Sequence, residues 1–386
     1  MISAVTLPRA MRVGGGSVAE LGDVIRSMGY QRPLLVTDAF MVQIGAAENL
    51  ISSLSGRGLE PCLFSETVPD PTTDSLWVGV LLAQDHNADC VIGFGGGSPM
   101  DSAKAIALLV AQGGQMSDYK APRINSGPAL PIFAVPTTAG TGSEATQFTI
   151  ITDSKTDEKM LCIGPAFLPV AAIVDFELTL SMPARLTADT GIDALTHAIE
   201  AYVSRKANNF SDLLALKAVN SIAGNLERAY LDGQDRSARE AMMFASTQAG
   251  MAFSNSSVAL VHGMARPLGA HFHVAHGMSI AMLLPAVTEF SVGSAIPRYA
   301  DCARALLCAS DSDPDRLAAD KLVDRLRTLA TDLAVPTPRS HGISEQEWKK
   351  LTPLMAQQAI DSGSPGNNPV VPDVAEVAAL FDQVYA

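Results

Sequence analysis

Asp89–Phe94 (DCVIGF) runs into Gly95–Ser98 and then into Pro99, Met100 and Asp101, the order strand, glycine turn, helix start. Ser98 stands where an N-cap belongs, Pro99 suits the first helical position, and Asp101 completes a capping-box spacing; this predicts a helix through Ala111. An unbroken apolar strand passing directly into a helix belongs to a parallel sheet covered on both faces. The flanking sequence repeats the theme. Pro33–Asp38, Cys62–Val68, Pro131–Thr138 and Ala171–Asp175 read as further strands, with helices over Met41–Leu54 and Thr72–His86. Gln147–Thr152 and Lys159–Ile163 flank Asp153–Glu158 and read as an antiparallel hairpin. Beyond Pro183 the apolar spacing becomes three-and-four, glycines thin out and strand-like alternation almost vanishes. The pattern predicts an α/β domain over residues 1–180 and an all-helical domain over 181–386.

The 386 residues suit two units of ordinary domain size. With 47% hydrophobic and 17% charged residues there is ample apolar surface to offset the entropy of ordering, which excludes a disordered chain. A net charge of −13 and the lack of any basic cluster exclude general attraction to nucleic acid. The five cysteines (Cys62, Cys90, Cys162, Cys302, Cys308) are scattered without C-x-x-C spacing, against disulfides and against a thiolate zinc knuckle. No signal-like start and no membrane-length apolar run is present, so the expectation is a soluble, cytoplasmic protein.

Two loops suggest a phosphate-bearing ligand. Gly95, Gly96 and Gly97 let backbone approach a ligand closely, and the helix that follows offers unpaired N–H groups to a pyrophosphate. Ser98 replaces the last glycine of the usual G-x-G-x-x-G, and a bare tight βα turn would look the same. Pro136–Glu144 (PTTAGTGSE) brings Thr137, Thr138, Thr141 and Ser143, whose hydroxyls can donate to phosphate or ribose; such residues also cap local backbone. Both loops leave the C-terminal ends of strands, where open α/β sheets collect ligands. Asp38 ends a strand there; its carboxylate accepts from ribose hydroxyls and repels a 2′-phosphate, although a strand-terminal Asp is also an ordinary turn residue.

The helical half carries a different chemistry. Asp193 and His197, four apart in GIDALTHAIEAY (191–202), share one helix face and can reach a single metal, or simply pair with each other. Of seven histidines, His262, His271, His273 and His276 fall in one apolar segment, 260–276, where unpartnered imidazoles would be costly. His262 and His276 each begin a His-Gly-Met triplet. One Asp with three His makes a plausible set for a divalent cation with room for a substrate oxygen; core histidines bonded to carbonyls are the alternative.

GGGSPMDSAK (95–104), PTTAGTGSE (136–144), GIDALTHAIEAY (191–202) and LVHGMARPLGAHFHVAHG (260–277) together resemble the iron-containing, group III alcohol dehydrogenases. The resemblance runs in order along practically the whole chain, to GNNPVVPDVAEVAALF (366–381). It implies a dehydroquinate-synthase-like fold: a dinucleotide-binding parallel-sheet domain followed by an all-α metal-binding domain. It also implies Asp193, His197, His262 and His276 as metal ligands, with Fe²⁺ expected. Pyrophosphate would lie on Gly96, Gly97 and Ser98, the cofactor along Thr137, Thr138, Thr141 and Ser143, and Lys159 would reach the ribose region. Asp38 occupies the position that favours NAD, and Asp70 stands near the adenine side. Dimerisation is typical of the relatives. One departure is Arg266, where relatives commonly carry a His used in proton transfer. Arg stays protonated, so either His273 or His271 supplies the relay, or Arg266 binds an anionic group of the substrate.

The implied activity is reversible hydride transfer between a small alcohol and NAD, helped by a divalent metal. A lyase of dehydroquinate-synthase type with transient NAD use, or a non-catalytic nucleotide- or metal-binding relative, is the alternative. The donor set lacks a thiolate and by intrinsic affinity prefers Zn²⁺ to Fe²⁺, so iron is an expectation of the resemblance alone.

Overall fold

A computed structural model describes residues 2–385. Contacts divide them into two compact units, Thr6–Ser181 and a second from Met182 onward joined by a short N-terminal stretch.

Six strands of the first unit form one parallel sheet: β1 (Ala10–Val13), β2 (Pro33–Val36), β3 (Cys62–Phe64), β4 (Cys90–Gly95), β5 (Ile132–Pro136) and β8 (Ala171–Val174), in the order β1-β8-β5-β4-β2-β3. Strands β6 (Phe148–Thr152) and β7 (Lys159–Ile163) make the separate antiparallel hairpin. Alternation within the strands explains why they read as unbroken apolar runs. Leu34, Val36 and Val91 enter one core with Ile106 and Leu109 of the Gly97–Gln112 helix. Leu35, Ile92, Phe94 and Phe133 enter another with Leu21, Ile25 and Leu54. Both faces are covered, so neither set of alternate residues is polar.

Three local expectations need correcting. Strand β1 was not expected: four residues at a sheet edge, two of them exposed, leave little pattern. The helix read over Met41–Leu54 is two, Ala39–Gln43 and Ala46–Ser55, because Gly45 between them takes φ 75°. The helix after β4 starts two residues earlier than the Ser-Pro signal indicated. Gly96 is its N-cap, with Ser98 and Pro99 already inside the first turn, and Asp101 is not part of a capping box. Gly95 makes this possible: its φ is 148°, and a Cβ there would lie 2.6 Å from Pro99 Cγ.

The second unit is helical throughout its described residues, from Ala184–Val203 to Val374–Val384. Ala184–Val203 is buried on nearly every side from Thr187 to Val203, Thr190 excepted, as expected of a helix at the centre of an α-helical core. Its buried polar residues include Asp193, Thr196, His197 and Glu200, and those groups must find partners.

Candidate functional site

In the first unit, the chain turns toward one sheet edge after β2 and toward the other after β4, while β2 and β4 are neighbours. That junction is the topological switch point, where the loop ends diverge and leave a crevice for a ligand. Asp38 follows β2 and Gly96–Ser98 follow β4, so the expected cofactor residues from both loops meet there. The Gly97–Gln112 helix has no side-chain cap at its N-terminus, so its first amides stay available to an anion. A side chain would be crowded at Gly97 and would only just touch its neighbour at Gly96. A Cβ on Gly97 would sit 3.0 Å from Thr141 Cγ2, and one on Gly96 would sit 3.4 Å from Thr138 Cγ2. Thr138 and Thr141 therefore face the glycine turn across adjacent strands β4 and β5. Asp38 also caps its own helix, accepting from the Met41 amide at 3.1 Å.

Other expected cofactor residues have protein partners. Thr137 is buried and its amide donates to Gly95 O at 2.9 Å, which ties the two loops together. Ser143 Oγ accepts from Lys104 Nζ at 2.9 Å and lies 3.3 Å from Asp101 Oδ1, so its hydroxyl is engaged inside the unit. Lys159 pairs with Asp70 at 3.0 Å. Sequence reasoning overlooked Lys104, whose fully buried ammonium also reaches Thr146 O, Thr146 Oγ1 and Phe148 O at 3.1, 3.0 and 2.8 Å. It pins the threonine-rich loop to the helix of the glycine turn. Burial lowers Lys104 to about 8 and raises its neighbour Asp101 to about 6.

In the second unit, Asp193, His262 and His276 each offer a ligand atom within 4.8 Å of the others. Asp193 Oδ1 lies 3.4 Å from His262 Nε2, 3.8 Å from His276 Nε2 and 3.7 Å from His197 Nδ1. His197 is outside the mutually close set; its ring lies between Phe253 and His262, with both centroids 4.3 Å away. Asp193, His197 and His262 are buried and His276 is half-buried. The two His-Gly pairs have a packing reason. A Cβ on Gly263 would come within 2.8 Å of the Pro365 ring, and one on Gly277 within 2.7 Å of Asp189 O. Each glycine lets a histidine-bearing turn sit directly against its neighbour.

In the second unit, Glu200 is the residue that sequence reasoning missed. Its Oε2 accepts from the Ala259 amide at 2.8 Å and lies 2.6 Å from His262 Nδ1, and its Oε1 accepts from the Val261 amide at 2.6 Å. The signal was there: Asp193, His197 and Glu200 recur at i, i+4 and i+7, one stripe of one helix.

These residues fit a cation. A carboxylate only accepts, so Glu200 obliges His262 Nδ1 to carry the proton and leaves a lone pair on Nε2. That lone pair faces Asp193 Oδ1, and both are buried atoms without a hydrogen-bond partner among the described residues. The separations of 3.4–3.8 Å are too long for good hydrogen bonds. They are close to the ~3.4 Å expected between ligand atoms sharing a metal at about 2.1 Å. The electrostatics agree. Burial alone would raise Asp193, but His197, His262 and His276 hold it down to about 2. Burial alone would lower His262, but Glu200 and Asp193 raise it to about 9. Positive charge is favoured here, as a proton or as a metal.

The candidate proton-transfer residues separate. His273 ends the Leu260–Phe272 helix in the left-handed region (φ 54°) and is exposed. His271 Nε2 is 2.7 Å from Gln358 Oε1. Arg266, one turn beyond His262, is half-buried, and no side chain among the described residues hydrogen-bonds or ion-pairs with it. Burial lowers it to about 10, with the charge of Glu200 acting the other way.

Comparison with known proteins covers both units. A family model described as iron-containing alcohol dehydrogenase matches residues 8–176, and one described as the Fe-containing alcohol dehydrogenase family, C-terminal, matches 187–385. The chain is 35% identical over 376 residues to an NAD-dependent methanol dehydrogenase of Bacillus methanolicus, covering 97% of this chain and 98% of that one. It is 34% identical to lactaldehyde reductase of Escherichia coli K12, over 100% of both chains. A solved 1,3-propanediol oxidoreductase superposes with a TM-score of 0.95 at 33% identity, over 100% of both chains.

Proposed function

The chain belongs to the iron-containing alcohol dehydrogenase family, and from that premise we propose that it interconverts small alcohols and aldehydes by metal-dependent hydride exchange with NAD. It is an NAD-linked oxidoreductase acting on alcohols. One observation carries the reading: a buried carboxylate oxygen of Asp193 with three imidazole nitrogens 3.4–3.8 Å away and no hydrogen bond of its own.

Asp193, His262 and His276 hold the cation, with His197 as the fourth ligand. A divalent metal supplies a Lewis acid that lowers the pKa of an alcohol hydroxyl or polarises an aldehyde carbonyl. Fe²⁺ is the metal proposed, by family; Zn²⁺ suits the same donors. The amides of Gly97 and Ser98, freed of any side-chain cap, take the pyrophosphate. Gly96 keeps the turn open, and Thr137, Thr138 and Thr141 border it. Ser143 and Lys159 act on the cofactor indirectly, by holding the loop and the hairpin through Lys104 and Asp70. Asp38 disfavours a 2′-phosphate, which selects NAD.

Arg266 keeps its proton at any working pH and so does not relay one. Its guanidinium, unpaired among the described residues, supports binding of an anionic group on the substrate. Exposed His273 holds and passes the proton; His271, engaged by Gln358, does not. A cytoplasmic homodimer, expected from the resemblance, completes the proposal.

Anaerobic purification with metal analysis, followed by NADH absorbance during reduction of an aldehyde panel, tests it. One metal per chain, with activity lost on chelation and restored by Fe²⁺ or Zn²⁺, is expected. Full turnover in metal-free protein would refute it.

A further inference from the structure

Glu200 makes three short contacts, and all three partners are N–H groups: Ala259 N, Val261 N and His262 Nδ1, at 2.8, 2.6 and 2.6 Å. Two come from the backbone that opens the Leu260–Phe272 helix. Ala259, the N-cap of that helix, supplies no side-chain cap of its own. The acceptors are delivered instead from the Ala184–Val203 helix, by a carboxylate 3% exposed. The third partner is the ring whose other nitrogen faces Asp193. Glu200 thus joins the two helices that carry Asp193 and His262 at the point where their lone pairs converge.

We propose that Glu200 is a positioning residue for the metal: it fixes the tautomer and orientation of His262 and places a second negative charge one imidazole away from the cation. The inference rests on the metal-centred reading above. A carboxylate receiving the Nδ1 proton makes Nε2 a stronger donor to a metal, and losing such a partner commonly costs 10–100-fold in affinity. Glutamine has nearly the same shape but half the acceptors. Whichever way its amide is set, the NH₂ faces at least one of the three N–H donors: Val261 N in one setting, Ala259 N and His262 Nδ1 in the other. Aspartate stays acceptor-only and charged but is one methylene shorter.

The test is Co²⁺ binding to metal-free full-length protein, measured by competition with a chromophoric chelator, for wild type, E200D and E200Q. Melting of the metal-free and Co²⁺-loaded forms of each is recorded alongside. The expected order of affinity is wild type, then E200D, then E200Q, with E200Q weaker by about 10–100-fold. The stabilisation gained from Co²⁺ shrinks in the same order. A residue that only capped a helix would lower the melting of both forms equally and leave Co²⁺ affinity at the wild-type value; that outcome overturns the proposal. Equal losses in E200D and E200Q would overturn it too, since acceptor chemistry would not matter. Wild type that takes up no Co²⁺ would instead bring down the metal-centred reading beneath it, and this inference with it.

Discussion

Replacing Gly277 with alanine should damage the proposed metal site without touching any of its proposed ligands. The new Cβ would lie 2.7 Å from Asp189 O, 2.9 Å from Asp189 C and 3.2 Å from Asp189 Cβ. Ordinary contact begins near 3.4 Å, so the carbonyl oxygen is about 0.7 Å too close. That oxygen belongs to the backbone of the central Ala184–Val203 helix and cannot swing aside as a side-chain tip would. The start of the His276–Val292 helix must move instead, and His276 is its first residue. A shift of several tenths of an ångström exceeds the roughly ±0.2 Å tolerated in metal–ligand distances. Overpacking of this kind costs about 1–3 kcal/mol. For a helical unit of this size each kcal/mol lowers melting by roughly 2–4 °C. Calorimetry of metal-free protein should therefore show a fall of several degrees, and chelator competition should show metal affinity weakened at least about tenfold. Gly293→Ala, at the other end of the same helix, is the control: φ there is −61° and nothing lies within 4 Å of the added carbon. Wild-type melting and affinity in Gly277→Ala would refute the argument that this contact sets the position of His276.

Further outcomes follow from single residues. Arg266→Gln should erase a preference for aldehydes bearing a carboxylate over neutral ones of equal length, read as the ratio of kcat/KM values; an unchanged ratio would remove Arg266 from substrate recognition. His273→Asn keeps a residue that tolerates the left-handed backbone, so melting should stay near wild type while kcat falls; undiminished kcat would end the relay assignment. The Lys104–Asp101 pair should shape stability against pH in both directions. With Lys104 lowered from 10.5 to about 8, the unfolded chain holds the extra proton between those values, and stability rises with pH across that window. With Asp101 raised from 3.8 to about 6, the folded chain holds it, and stability is lost as pH rises from about 4 through 6. Denaturation of wild type against Lys104→Met and Asp101→Asn checks each limb, and superimposable pH curves would contradict the burial argument.

Much of this was readable along the chain because it repeats at short range. Apolar runs separated by three-and-four spacing announced the parallel sheet, and Asp193 with His197 announced a helix face. What escaped had no local repeat. Strand β1 is short, marginal and half exposed. The Ser-Pro signal misled because Gly95 and Gly96 together begin the helix earlier than a side-chain cap would. Ser143 looked like a ligand residue because nothing nearby in sequence reveals that Lys104, 39 positions away, claims its hydroxyl.

Residue order alone indicated most of the elements and the side chains proposed for cofactor and metal chemistry, since periodicity, glycine turns and donor types act within a few residues. Assembly decides the rest. The convergence of His262 on Asp193, and the seating of Glu200 beneath it, join positions 62 and more residues apart. Such contacts arise only when packing brings separate helices together and desolvation forces their buried polar atoms to choose partners.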